Sequence, residues 1–175
     1  AFMFDDHGQN IDEFVRDQAE KAIGNHVPVL EKPQDVVLFG FGRIGRLITR
    51  LILEDTGAGE TFSLKAVVVR KSKTEDLFKR AELMRRDSVH GPFKGTIRVE
   101  EESDTLVMNG NPVKFIYADN PSDIDYSKHN INNAILIDNT GVYRDESGLS
   151  RHLESKGISK VLLTAPTKGL SLIHI

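Results

Sequence analysis

The sequence predicts a doubly wound α/β domain on a mostly parallel sheet, with an inserted antiparallel hairpin and an N-terminal helical extension. Three observations carry this. From Asp35 onward, short β-branched runs alternate with stretches of helical periodicity. The first of those runs leads straight into Gly40-Phe41-Gly42-Arg43-Ile44-Gly45 and then into an amphipathic segment. Two period-2 segments, 96–100 and 105–108, flank the polar turn 101–104 and read as the hairpin.

Taken in order, residues 1–34 read as a helical extension and linker. Ile11, Phe14, Val15, Ala19 and Ala22 recur at helical spacing and predict a helix over 11–23, stopped by Gly24 and Asn25. Pro28 and Pro33 mark the linker that follows. The extension is expected to be a packing appendage or the end of a preceding domain. Residues 36–39 form a continuous apolar run, as a buried parallel strand requires. Ile44, Leu47, Ile48, Leu51 and Ile52 mark one face of a helix that runs out at Gly57. A strand over 64–69 and a helix over 75–84 come next, then the hairpin. Strands over 113–117, 134–137 and 160–163 complete the sheet, with a helix over 146–155 between the last two. The domain is therefore expected over 35–169.

The chain has 175 residues, 23 Lys and Arg against 26 Asp and Glu, and 39% hydrophobic residues. That length allows one full core plus an appendage, so a second large functional half is expected to be missing. The net charge of −3 lacks the basic excess that phosphate backbones or anionic membranes attract, so neither nucleic acid nor membrane is an expected partner. There is no cysteine, which excludes disulfides, Cys-ligated metals and a thiol nucleophile within this chain. The longest apolar runs are strand-length and none is long enough to span a bilayer, so a cytoplasmic location is the default.

The glycine-rich turn carries the chemistry. Between a buried strand and a helix, Gly40 permits the tight turn, Gly42 lets the backbone approach a pyrophosphate, and Gly45 lets the helix pack close to the strand. The free N–H groups and dipole at the helix start favour phosphate, so this is the Rossmann-type dinucleotide signature. The second strand ends in Arg70-Lys71-Ser72, where an NAD-binding Rossmann domain usually places an acidic residue on the adenosine ribose. Two cations there suit a 2′-phosphate, so the expected cofactor is NADP or NAD, with NADP favoured. Asp87 with His90 reads as a structural turn. His7, His26, His129 and His152 lie in polar surroundings and read as solvated. Arg43, Arg46 and Arg50 share one helix face and read as local support for anion binding plus a solvated face. No catalytic or metal-ligating residue is assigned.

These residues resemble the N-terminal, cofactor-binding half of the glyceraldehyde-3-phosphate dehydrogenase family. The resemblance rests on Gly40-Phe41-Gly42-Arg43-Ile44-Gly45-Arg46, Arg86-Asp87-Ser88-Val89-His90-Gly91, Val107-Met108-Asn109-Gly110-Asn111-Pro112, Asp138-Asn139-Thr140-Gly141-Val142-Tyr143 and Thr164-Ala165-Pro166, in the family's order. The acidic helical leader is similar to that of a longer bacterial branch. The resemblance implies that Gly40, Phe41, Gly42, Arg43 and Ile44 hold the pyrophosphate and that Asn139, Thr140 and Gly141 line the adenine and ribose side. It implies that Thr164 and Ala165 lie near the nicotinamide half. Arg70 and Lys71 stand where the family commonly has Asn-Asp, and Asp119 stands about where many members have an Arg near the adenine.

In the family, a cysteine thiolate attacks the aldehyde of glyceraldehyde 3-phosphate and the thiohemiacetal passes hydride to nicotinamide. A histidine acts as base, and inorganic phosphate releases an acyl phosphate. Those groups would all follow Thr164-Ala165-Pro166, so the resemblance implies a full-length, homotetrameric enzyme of glycolysis or gluconeogenesis and an inactive fragment here. The alternative is a stand-alone dinucleotide-binding sensor or scaffold. Leu170-Ser171-Leu172-Ile173-His174-Ile175 departs from the family after Gly169 and matches one reading frame of a sequencing-library adapter, so it is expected to be a non-native tail.

Overall fold

The computed structural model describes residues 32–55, 61–70, 76–87 and 90–167. The helix expected over 11–23, Lys71, Ser72 and the 170–175 tail lie outside the described residues.

The chain opens with β1 (Gln34–Phe39), α1 (Arg43–Asp55), β2 (Phe62–Val69) and α2 (Asp76–Arg85). Two short strands, β3 (Arg86–Asp87) and β4 (Gly91–Pro92), pair antiparallel by themselves. Then come β5 (Ile97–Glu100), β6 (Thr105–Met108), β7 (Asn111–Tyr117), 3-10 turns at Pro121–Asp123 and Tyr126–His129, β8 (Ala134–Asp138), α3 (Glu146–Leu153) and β9 (Ile158–Leu163). The main sheet has the order β5-β6-β7-β2-β1-β8-β9. Its β7-β2-β1-β8-β9 portion is parallel, and β5 and β6 extend it as an antiparallel meander. This is the doubly wound Rossmann-type α/β fold. The strand order reverses between β1 and β8, and in such sheets that switch point opens a crevice at the carboxyl ends of the strands.

Alternation along the central strands feeds two cores. Val36 and Leu38 of β1 face Ile52 and Leu53 of α1 and Leu77, Ala81 and Met84 of α2 on one side. Val37 and Phe39 face Ile124, Tyr126 and Ile131 of the 3-10 region on the other. At about 25 cal/mol per Å², two such layers supply the apolar burial that holds the sheet. The alternation breaks once in β2. Val36 pairs with Leu64 and Val37 with Ala66, so Lys65 is an extra residue that reverses the side facing each core. Leu64 joins the helix-covered core while Ala66 joins the opposite one.

The apolar face of α1 differs from the one read in the sequence. Ile44 and Leu51 are 45% and 56% exposed, and the buried stripe runs through Thr49, Ile52 and Leu53. Gly45 is the reason. It sits directly against Gly40, where an added Cβ would lie 2.3 Å from the Gly40 carbonyl oxygen, and this contact fixes which face of the helix meets the sheet. The last strand begins at Ile158, two residues earlier than its apolar residues suggest, with an irregularity between Ala134 and Ile135 of its partner.

Candidate functional site

A cleft of about 390 Å³ opens at the carboxyl ends of the parallel strands. Phe39, Gly40, Phe41 and Gly42 form its floor where β1 turns into α1. Val68, Val69 and Arg70 border it from β2, Ala118 and Asp119 from beyond β7, and Thr140, Val142 and Tyr143 from beyond β8. Arg80 reaches it from α2.

The turn at the floor is built by three glycines with separate tasks. Gly40 has φ +99°, which L side chains rarely adopt, and a Cβ there would come 2.9 Å from Thr140 Cγ2. Gly45 closes the helix onto the strand, as described above. Gly42 has nothing within 4 Å of an added Cβ, so the backbone at that point is open to an incoming group. The first helical hydrogen bond runs from Arg46 N–H to Gly42 O at 3.0 Å. The N–H groups before it have no intrahelical acceptor and lie at the positive end of the α1 dipole. A helix N-terminus beside an open glycine suits a phosphate.

The opposite wall is held by Asp138, the last residue of β8. Its Oδ1 accepts the Thr140 N–H and the Thr140 hydroxyl, both at 2.7 Å. The Thr140 Oγ1 in turn accepts Val142 N–H at 3.1 Å. The Asn139 N–H donates to Phe39 O at 2.8 Å, tying this loop to β1. Thr164 closes the far side, its N–H and hydroxyl both donating to Asp138 O at 3.1 Å.

Of the residues assigned to cofactor binding from the sequence, Gly40, Phe41, Gly42, Arg70 and Thr140 border the cleft together. The Phe41 ring is buried edge-on against Phe115, with centroids 5.2 Å apart, so Phe41 offers its backbone. Arg43 and Ile44 are exposed on the first turn of α1 beside the floor. Gly45 supports the turn from beneath. Asn139, Gly141, Thr164 and Ala165 cluster next to the cleft without bordering it: Thr164 Oγ1 is 3.2 Å from Asn139 Oδ1, and a Cβ on Gly141 would touch Ala165 Cβ at 3.5 Å. Lys71 lies outside the described residues.

Three readings need correction. Arg50 does not support an anion. It is 7% exposed and donates to Met84 O at 2.7 Å and Gly91 O at 2.9 Å, so it stitches α1 to the last turn of α2 and to β4. Arg46 likewise turns inward, donating to Phe41 O at 3.4 Å and lying 3.8 Å from Asp87 Oδ2. His152 is not solvated: it is fully buried, with Nε2 3.0 Å from Asp138 Oδ2. Its ring meets Phe39 and Tyr143 edge-on, with centroids 4.7 and 5.2 Å apart. Asp87, by contrast, does cap a turn, accepting the His90 N–H at 3.0 Å.

Sequence reasoning missed Arg80. Its Nε is 2.6 Å from Asp76 Oδ2 and its Nη2 donates to Arg70 O at 3.1 Å, so it fixes the backbone at the end of β2. No local pattern marks it, because only the tertiary fold brings α2 to the cleft.

The family model for the glyceraldehyde 3-phosphate dehydrogenase NAD-binding domain matches residues 34–146. A glyceraldehyde-3-phosphate dehydrogenase-like protein of Pseudomonas aeruginosa is 49% identical over 175 residues, covering 99% of this chain and 38% of that protein. The glycosomal glyceraldehyde-3-phosphate dehydrogenase of Crithidia fasciculata is 33% identical over 144 residues, 78% of this chain and 38% of that protein. The glyceraldehyde-3-phosphate dehydrogenase of Thermotoga maritima is 34% identical over 134 residues, 77% of this chain and 37% of that protein. The chain thus spans less than two fifths of the length of these relatives.

Proposed function

Because the chain belongs to the glyceraldehyde-3-phosphate dehydrogenase family and carries its NAD-binding domain, we propose that it is the cofactor-binding part of a phosphorylating dehydrogenase whose cleft takes NADP at least as readily as NAD. The open backbone at Gly42, beside the start of α1, carries the site reading. Gly40, Phe41, Gly42, Arg43 and Ile44 would hold the pyrophosphate, and Asn139, Thr140 and Gly141 would line the adenosine side. Thr164 and Ala165 would lie toward the nicotinamide. Bound there, the nicotinamide ring supplies a hydride acceptor. The described residues bind and orient it.

The wider assignment follows the family. The aldehyde substrate is glyceraldehyde 3-phosphate with inorganic phosphate as co-substrate, the assembly is a homotetramer in the cytoplasm, and the reaction serves glycolysis or gluconeogenesis. This stretch has no cysteine, so by itself it offers no thiol to attack an aldehyde. Aldehyde-dependent reduction of NAD or NADP by the purified 175-residue chain would refute that part.

The cofactor preference rests on Arg70. It is exposed on the cleft at the end of β2, its carbonyl is fixed by Arg80, and neither Val69 nor Arg70 offers the carboxylate that would hold a bare ribose diol. Lys71 adds a second cation in the sequence. A hydrogen bond to a charged group contributes about 1.5 to 3 kcal/mol, so one Arg–phosphate contact shifts preference about ten- to a hundredfold. The experiment is dinucleotide affinity in the intact protein before and after Arg70→Asn with Lys71→Asp. The reading requires NADP to bind at least as tightly as NAD and the double change to lower that ratio at least about tenfold. A tenfold preference for NAD, or an unmoved ratio, overturns it.

A further inference from the structure

Behind the wall of the cleft, the Asp138 carboxylate that holds Thr140 is itself paired with a buried imidazole. Asp138 and His152 both have fully buried side chains. A carboxylate only accepts hydrogen bonds, so the 3.0 Å contact places the imidazole hydrogen on Nε2, donating to Asp138 Oδ2. The other oxygen, Oδ1, is taken by the N–H and hydroxyl of Thr140. A buried carboxylate left short of a donor carries a large desolvation penalty, so the donors on its two oxygens are linked: loosening one side strains the other. His152 Nδ1 has no partner among the described residues, so the ring is anchored through Nε2 and through its T-shaped contacts with Phe39 and Tyr143. Phe39, Tyr143 and Thr140 all border the cleft, and Thr140 Cγ2 lies 2.9 Å from where a Cβ on Gly40 would stand. One buried ring therefore stands behind both walls.

We propose that His152 and Asp138 are positioning residues for the dinucleotide. His152 holds the Asp138 carboxylate, Asp138 holds Thr140, and Thr140 sets the spacing between the 140–143 loop and the Gly40 turn. His152 touches no ligand. Arg151, the residue before His152, holds its guanidinium 5.8 Å from the Tyr143 ring centroid.

The proposal rests on the cleft being the dinucleotide site, and the test separates the two. In the intact protein, NADP and NAD affinity is measured for the wild type, His152→Phe, His152→Gln, Thr140→Val and the double variant His152→Phe with Thr140→Val. His152→Phe keeps a ring and loses the donor, and is expected to weaken binding about tenfold. His152→Gln places an amide N–H near the same point and is expected to restore affinity to within about twofold. The double variant is expected to bind no more weakly than the weaker single variant, since both break one chain of contacts. In the wild type, the 15N resonance of His152 Nε2 is expected to shift when NADP saturates the protein. A wild type that binds neither dinucleotide overturns the site reading and the proposal with it. A wild type that binds, with an unmoved His152 resonance or with single-variant effects that multiply in the double, overturns the proposal alone. Should His152→Phe not fold, the His152→Gln affinity and the wild-type resonance decide between these outcomes.

Discussion

A single methyl group added at Gly45 or at Gly42 tests the two halves of the glycine turn separately. At Gly45 the new Cβ would lie 2.3 Å from the Gly40 carbonyl oxygen and 3.3 Å from its carbon. The shorter contact overlaps by about 1 Å against ordinary non-bonded separation. Both atoms belong to backbone in a tight turn, so neither can rotate away, and α1 must lift from the sheet. Overpacking costs about 1 to 3 kcal/mol, and a rigid neighbour puts this case at the upper end. Alanine returns about 1 kcal/mol of helix propensity. The net loss of about 2 kcal/mol lowers the melting temperature by about 4 to 8 °C in a domain of this size. At Gly42 the methyl meets nothing within 4 Å, and the residue lies outside the left-handed region. Gly42→Ala should leave melting unchanged or raise it slightly, because alanine narrows the unfolded ensemble by about 0.4 to 1 kcal/mol. The same methyl fills the approach to the first N–H groups of α1. Losing even one charge-assisted hydrogen bond there weakens dinucleotide binding about tenfold or more. Thermal melts and titration calorimetry on both variants are the assay. A Gly42→Ala protein that binds like wild type, or a Gly45→Ala protein that melts like it, refutes the division of labour.

Arg50→Met keeps the apolar stem but strands the Met84 and Gly91 carbonyls that the guanidinium now satisfies. Urea unfolding should show a loss of about 2 to 4 kcal/mol; an unchanged midpoint would mean that water replaces the side chain at no cost. Tyr126 is fully buried, its hydroxyl has no partner among the described residues, and burial pushes the phenol well above the ordinary tyrosine range. Since the folded value is raised, its contribution to stability is complete below about pH 10 and falls as pH climbs beyond that, where the unfolded chain ionises first. Tyr126→Phe should therefore match or exceed wild-type stability at neutral pH and flatten the alkaline decline between about pH 9 and 11. Denaturant titrations across that range check it, and an equally steep decline in the variant would contradict it.

The parts of this fold that can be read from the sequence are those whose signal is local. Val36 to Phe39 is apolar on both faces because β1 is central and covered on both sides, and a continuous run is what such a strand leaves in a sequence. The glycine turn is legible for the same reason, since its requirements fall within six consecutive positions. Lys65 shows where that logic stops. Nothing in Phe62 to Val69 says which residue is the extra one, because a bulge is defined by the partner strand. His152 shows it more sharply. Arg151 and Leu153 beside it are exposed, so its surroundings in the sequence look solvated, yet α3 turns that one side chain toward the sheet. Its partner Asp138 is on another element, and only packing brings the two together. Arg46 and Arg50 share a helix face as the spacing implies, but that face looks onto the end of α2 and the β3–β4 pair rather than toward solvent.

The central claim is that the crevice at the β1/β8 switch point takes a dinucleotide, with its pyrophosphate on the Gly40–Gly45 turn. A crystal structure of the intact protein grown with NADP tests it most directly. Pyrophosphate oxygens are expected within hydrogen-bonding distance of backbone N–H groups between Gly42 and Ile44, and the 2′-phosphate beside Arg70. A dinucleotide bound elsewhere on the domain, or one whose pyrophosphate stands clear of the start of α1, would contradict it.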